Sequence, residues 1–385
     1  MKKTLAVLAA ALVTLSPAFA QKTYKGLPVI EAHGRVADYR IGNEWVRGNW
    51  NVSPQLSPDV LKVPVHGKKV QVAFYTDSDS IRFDVKPGKP NQFYVLLNGK
   101  DYALTELQGY SFQALAFDKS KKAPAYTLQY EQNADNAYLQ ELRTRYNLDA
   151  VVAGAANDTE KALRMVHWVH QQWQHNGMNE PSNPDALTIL SEAKEGKQFR
   201  CVEYGIVATT CLNAMGLPAR VLGLKMKDAE TIESGAGHVL LEVYLPDLKK
   251  WTLLDGQFDV MPVLNNVPLN AVEFQQAIAK HYDKLEIRSL SGTSKAGYVK
   301  WVYPYLYYFD VKFDNREGVA FERVTVGGKS SLMLVPVGAK QPTVFQKIRP
   351  IDYCQYTNAV ADFYAAPGVA GSTAAASPAT SSRTN

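Results

Sequence analysis

The chain predicts an α+β fold, and three observations carry that expectation. Short runs of alternating apolar residues, broken by Asn-Gly and Pro-Gly turns, fill the first third. Helical periodicity starts near residue 135 and culminates in an apolar run closed by Gly216 and Pro218. β-like segments rich in aromatic residues then continue to about residue 365.

The N-terminus has the order of an export signal. Lys2 and Lys3 precede an apolar run from Leu5 to Leu15, and Ala18-Phe19-Ala20 is a small-x-small cleavage site. The run is shorter than the ~20 residues of a membrane span. Residues 1–20 are therefore expected to be a signal peptide cleaved after Ala20, with a periplasmic or secreted destination. Without it and a Pro-, Ser-, Ala- and Thr-rich tail over 367–385, roughly 345 residues remain, enough for two or three domains. The tail is expected to be disordered, because it has little apolar bulk to bury. A composition of 46% hydrophobic and 11% aromatic residues supports real cores. A net charge of +5 without a basic block gives no reason to expect a nucleic-acid partner.

Residues 21–125 read as a β-sandwich. Val70–Tyr75, Ser80–Val85 and Phe93–Leu97 are strand-like, and Asn98-Gly99 tolerates the positive φ of a hairpin turn. From 126 to 290 the pattern is mixed. A helix opening at Asp158 carries Leu163, Val166, Trp168, Val169 and Trp173 on its apolar positions. His167 and His170 lie three apart on it, a spacing zinc can use, but no HExxH pattern accompanies them. A second helix runs from the Phe199–Cys201 lead-in to Met215, with Gly216 at its C′ position. Strands follow over Val221–Met226, from His238, and over Trp251–Asp255.

Those two last strands place His238 and Asp255 on one sheet face. Two registers fit: Leu245 opposite Leu248, which sets His238 directly across from Asp255, or a turn two residues longer, which sets Asp255 diagonally. Either keeps the two Cβ atoms within roughly 5–8 Å. In the C-terminal region, 291–366, Tyr303, Tyr305, Tyr307 and Phe309 alternate as one face of a strand, most simply a packed face. Asp310, Asp314, Asn315 and Glu317 lack the spacing of a calcium loop and read as a solvated turn. No metal site and no cofactor is expected.

Cys201 opening a helix, Gly216-Leu217-Pro218-Ala219-Arg220, Gly237-His238 opening a strand, and Trp251-Thr252-Leu253-Leu254-Asp255 together resemble the transglutaminase-like superfamily of papain-related thiol enzymes. The resemblance covers roughly residues 155–260. The chain departs from the family pattern at Phe199, Val239-Leu240 and Gly256. The resemblance implies a transglutaminase-like, papain-like core flanked by the N-terminal β-sandwich and the C-terminal β-rich region. It implies Cys201, His238 and Asp255 as a catalytic triad, with the helix start favouring the thiolate. The Cys201 backbone N–H would bind an oxyanion, with Gln198 or Trp173 as the second donor. Arg200 and Tyr204 are candidate substrate contacts.

The implied activity is hydrolysis of amide or peptide bonds through a thioester. Transfer to an amine, as in a transglutaminase, and a catalytically silent binding protein are the alternatives. The expected partner is a peptide or amide-containing substrate, from a cell-envelope protein or a peptidoglycan peptide. The odd cysteine count flags a free thiol, which the catalytic reading names as Cys201, with Cys211 and Cys354 either paired or separately buried.

Overall fold

The computed structural model describes residues 21–368 apart from 57, 121, 132, 134 and 319–322. The expected signal peptide, and all but the first two residues of the expected tail, lie outside the described residues. Among those described, no helix is long and apolar enough to cross a membrane. The chain divides into two compact units, with the boundary between Ser111 and Phe112.

The first unit is a pair of sheets. One has the order Thr23–Tyr24, Leu27–Ala32, Asn91–Leu97, Asp101–Tyr110, Asp59–Pro64; the other has Glu44–Asn51, Val36–Ile41, Val70–Tyr75, Ser80–Val85. Ile30, Val63 and Phe93 from the first sheet and Tyr39, Val72 and Phe74 from the second share one buried cluster. Residues of Asp59–Pro64 alternate between buried and exposed, as a half-covered strand requires. Each fully buried apolar side chain here contributes about 1.5–3 kcal/mol. The Asn98-Gly99 turn has φ of 52° and 67°.

The second unit begins at Phe112, earlier than the boundary near 125 read from the sequence. Phe112 packs edge-on against Tyr303 at 4.2 Å, and the Leu115 N–H donates to Gln275 Oε1 at 3.0 Å. A six-stranded sheet runs in the order Lys250–Leu254, Gly237–Leu245, Ala219–Lys225, Tyr308–Lys312, Ser331–Leu334, Cys354–Thr357. The last three strands come from the C-terminal β-rich region, which therefore extends the central sheet. Helices Ala137–Arg145, Asp158–His170, Ala186–Lys194 and Cys201–Ala214 share a buried cluster with this sheet, including Leu142, Val166, Ile189, Val207 and Leu241.

Two expectations for the C-terminal region are corrected. The residues before Tyr308 are not a strand: Lys295–Val302 is a helix whose Ser294 cap accepts from the Gly297 N–H, and Tyr303–Tyr305 continues it as a 3-10 turn. Nor is the acidic run a solvated turn. Asp310 pairs with Lys225, and Asp314 is 2% exposed and bound by Arg316 at 2.6 Å. Burial also pushes the Glu317 carboxyl up, against the hydrogen bonds from Asn213 and Thr210 that lower it.

One buried polar network crosses the sheet. Arg220 and Glu242 are each 0% exposed and 2.6 Å apart. The guanidinium also donates to the Phe363 carbonyl at 2.7 Å and lies 4.2 Å from the Trp251 ring centroid. Glu242 Oε1 accepts from the Tyr364 hydroxyl and the Ala271 N–H. A buried ion pair is tolerated when its remaining hydrogen-bonding groups are satisfied in this way.

Candidate functional site

Cys201 is the first residue of the helix Cys201–Ala214, so its N–H has no partner within the helix. Arg200 caps that helix. Its own N–H donates to Glu203 Oε2 at 3.0 Å, while its guanidinium binds Glu203 and Glu180. The charge of Arg200 is therefore committed to the helix start. Tyr204, read as a substrate contact, is corrected: it is 2% exposed, and its hydroxyl donates to the Trp173 carbonyl at 2.7 Å. Gln198 is exposed, with its carbonyl accepting from Asn179.

The helix approaches its neighbours closely because two glycines permit it. A Cβ on Gly205 would sit 3.2 Å from the Leu240 carbonyl oxygen on the histidine strand. A Cβ on Gly256 would sit 3.2 Å from Tyr204 Cβ. Those contacts bring the cysteine helix against the strand of His238 and the turn of Asp255.

His238 and Asp255 are 3% and 0% exposed. Leu241 pairs with Leu254 and Leu245 with Lys250, so the longer of the two possible turns is the one formed. Asp255 lies just past its strand and diagonal to His238, with His238 Nε2 2.8 Å from Asp255 Oδ2. Burial alone would push the imidazole down. The charge and hydrogen bond of Asp255, together with the Cys201 sulfur, outweigh it and raise the ring to about 9. Because Nε2 is taken by Asp255, Nδ1 is the ring nitrogen left for the thiol. The rings of Trp301, Tyr305 and Phe258 surround His238, with centroids at 4.8, 6.0 and 6.4 Å.

Asp255 has further partners that the sequence did not reveal. Oδ1 accepts the N–H groups of Gln257 and Phe258 at 3.0 and 3.3 Å, and Oδ2 accepts the Tyr298 hydroxyl at 2.9 Å. The only hint in the sequence is Ser294, a helix cap that would turn the following Tyr298 and Trp301 onto one helical face.

Trp173 is 7% exposed and packs against Phe199 and Tyr204, and its Nε1 is buried with no hydrogen-bond partner among the described residues. His167 and His170 each find a partner near the Asp255 turn. His167 Nδ1 lies 2.9 Å from Asp259 Oδ2, and His170 Nδ1 3.2 Å from the Gly256 carbonyl. Among the described residues, no group of three or more His, Cys, Asp or Glu side chains is arranged to hold a metal ion. All three cysteines are free thiols. Burial raises Cys211 and, with the nearby Asp310 charge, pushes Cys354 up to about 12.

Residues 147–256 match the family model described as the transglutaminase-like superfamily, a segment that includes Cys201, His238 and Asp255. No curated protein matches the chain. Among solved structures, a protein from Cytophaga hutchinsonii described as a candidate cysteine protease is 17% identical, with a TM-score of 0.26, over 40% of this chain and 48% of its own. This chain thus spans about half of that relative. A transglutaminase from red sea bream is 11% identical, with a TM-score of 0.25, over 55% of this chain and 43% of its own. The periplasmic domain of TgpA from Pseudomonas aeruginosa, bound to ethylmercury, is 13% identical, with a TM-score of 0.24, over 59% of this chain and 91% of its own. Residues 147–256 of this chain are thus a transglutaminase-like segment, and Cys201, His238 and Asp255 all fall within it.

Proposed function

We propose that this chain is a thiol-dependent hydrolase of amide or peptide bonds, working through a thioester on Cys201. The observation that carries the reading is the position of His238, with Asp255 Oδ2 2.8 Å from Nε2 and Cys201 among the neighbours that raise its ring. An imidazolium raised to about 9 keeps a positive charge beside the sulfur at neutral pH, and the thiolate is the nucleophilic form of a cysteine.

In the first step the Cys201 thiolate attacks the carbonyl carbon, and the carbonyl π electrons move to oxygen. The resulting oxyanion is bound by the Cys201 N–H and by the indole N–H of Trp173. Trp173 is preferred to Gln198 because its Nε1 is buried without an acceptor among the described residues, an arrangement that is costly unless a ligand supplies one. As the tetrahedral adduct collapses, the C–N bond breaks and His238 gives its proton to the leaving amine. His238 then takes a proton from water, the water oxygen attacks the thioester, and the Cys201 thiolate leaves. Asp255 holds the ring throughout.

The order of charged, apolar and small-x-small residues before Gln21 is our ground for placing this activity in the periplasm or outside the cell. The test is mass spectrometry of the intact protein after brief exposure to activated amides and to a peptide library. An acyl adduct on Cys201, lost in Cys201→Ala, supports the reading. Turnover that persists in Cys201→Ala overturns it.

A further inference from the structure

We infer that Tyr298 is a positioning residue for the proposed reaction, holding Asp255 in charge and direction toward His238. The inference rests on the thiol-hydrolase reading for its functional meaning, but its geometry stands apart from it. Tyr298 lies on the helix Lys295–Val302, beyond the 147–256 segment that matches the family. Its side chain is 2% exposed, and its hydroxyl donates to Asp255 Oδ2, the oxygen that also faces His238 Nε2.

The same part of the chain grips the rest of the Asp255 turn. Thr293 Oγ1 donates to the Phe258 carbonyl at 2.7 Å, and the Ser291 N–H donates to Asp259 Oδ2 at 2.7 Å. Residues 289–298 thus act as a strap over residues 255–259, and Tyr298 is its one contact to the carboxylate itself. Asp255 is 0% exposed, and the donors that reach its carboxylate are the Tyr298 hydroxyl and the Gln257 and Phe258 N–H groups. A donor shared on Oδ2 draws electron density from the bond to the imidazole. Removing it leaves a more basic carboxylate, which holds the imidazolium proton harder.

The titratable groups around His238 are Cys201 on the cysteine helix, Asp255 on the turn, His175 in the segment before that helix, Tyr298 at the end of the strap, and Tyr305 on the 3-10 turn after it. The experiment is a histidine NMR titration of the full chain in three forms: wild type, Tyr298→Phe, and a chain with 3-fluorotyrosine at position 298. The last keeps the shape and makes the hydroxyl a stronger donor. Tyr298→Phe should move the His238 midpoint upward by on the order of one pH unit, the scale of a hydrogen bond to a charged group. The fluorotyrosine chain should move it downward, and it decides the matter if Tyr298→Phe does not fold. Unmoved midpoints, or shifts of the same sign in both, overturn the inference. Failure of the thiol-hydrolase reading would show instead as the absence of an acyl adduct on Cys201 in the wild type, and would leave this titration interpretable.

Discussion

His238 and Asp255 meet on a diagonal. The strand pairing of Leu241 with Leu254 leaves Asp255 just beyond the ladder, and the turn that follows aims Oδ2 to 2.8 Å from His238 Nε2. The carboxylate is set by that turn as much as by the strand. Its backbone pairs with Val260 in both directions, and Oδ1 is held by the N–H groups of Gln257 and Phe258.

This arrangement predicts different outcomes for two substitutions at position 255. Asp255→Asn keeps an oxygen for the two backbone donors, so the fold should persist. It removes the charge that orients and stabilises the imidazolium, so kcat should fall on the order of 10²–10⁴-fold. Asp255→Ala loses four hydrogen-bonding partners in a fully buried site, so it should lower Tm as well as activity. Thermal melts beside steady-state rates distinguish the two. Near-wild-type activity in Asp255→Asn would remove Asp255 from the mechanism.

The raised imidazole also predicts a pH dependence of stability. The ring titrates at its ordinary 6.5 when unfolded and at about 9 when folded, so the native state binds the extra proton between those values. Its contribution is fully present below about pH 6.5 and is lost as pH rises through about 9. Urea midpoints of wild type and His238→Gln, measured from near pH 6 to near pH 10, should show a wild-type advantage that shrinks with rising pH. A constant difference would contradict the raised ring.

Arg220 closes the Gly-Leu-Pro-Ala-Arg motif, and its partner Glu242 is on the histidine strand, 2.6 Å away with both side chains fully buried. Removing one member leaves the other charge unpaired. Glu242→Ala is expected to cost about 3–5 kcal/mol of folding stability, measured by denaturant unfolding. A loss within the range of an ordinary surface substitution would mean that the network is not closed in solution.

The parts legible in the sequence were those whose patterns are local. Val70–Tyr75 and Ser80–Val85 follow from alternation, and the cysteine helix from its apolar run and its stop at Gly216-Leu217-Pro218. The two-sided choice of register at His238 was also visible, and the turn ending in Lys249, at φ 51°, decided it. The residues from Tyr303 to Tyr307 misled because alternating tyrosines look like a strand face, whereas the Ser294 cap and Pro304 belong to a helix running into a 3-10 turn. The hold of Tyr298 on Asp255 spans 43 positions and has no local pattern at all. The buried Trp173 indole, without a partner among the described residues, and the Arg220–Glu242 pair are likewise products of tertiary packing.

The central claim is that Cys201 is a nucleophile activated by His238, and thiol alkylation tests it most directly. Cys211 is buried in the apolar core, and Cys354 is buried with its thiol pushed up to about 12, so neither is primed to react. Cys201 is partly exposed beside an imidazole that stays protonated to about pH 9. The measurement is the rate of iodoacetamide labelling at each cysteine near pH 6, by peptide mass spectrometry, in wild type and His238→Ala. The account predicts rapid labelling of Cys201 alone, slowed strongly in His238→Ala. Equal, slow labelling of all three thiols, or a Cys201 rate indifferent to His238→Ala, would contradict it.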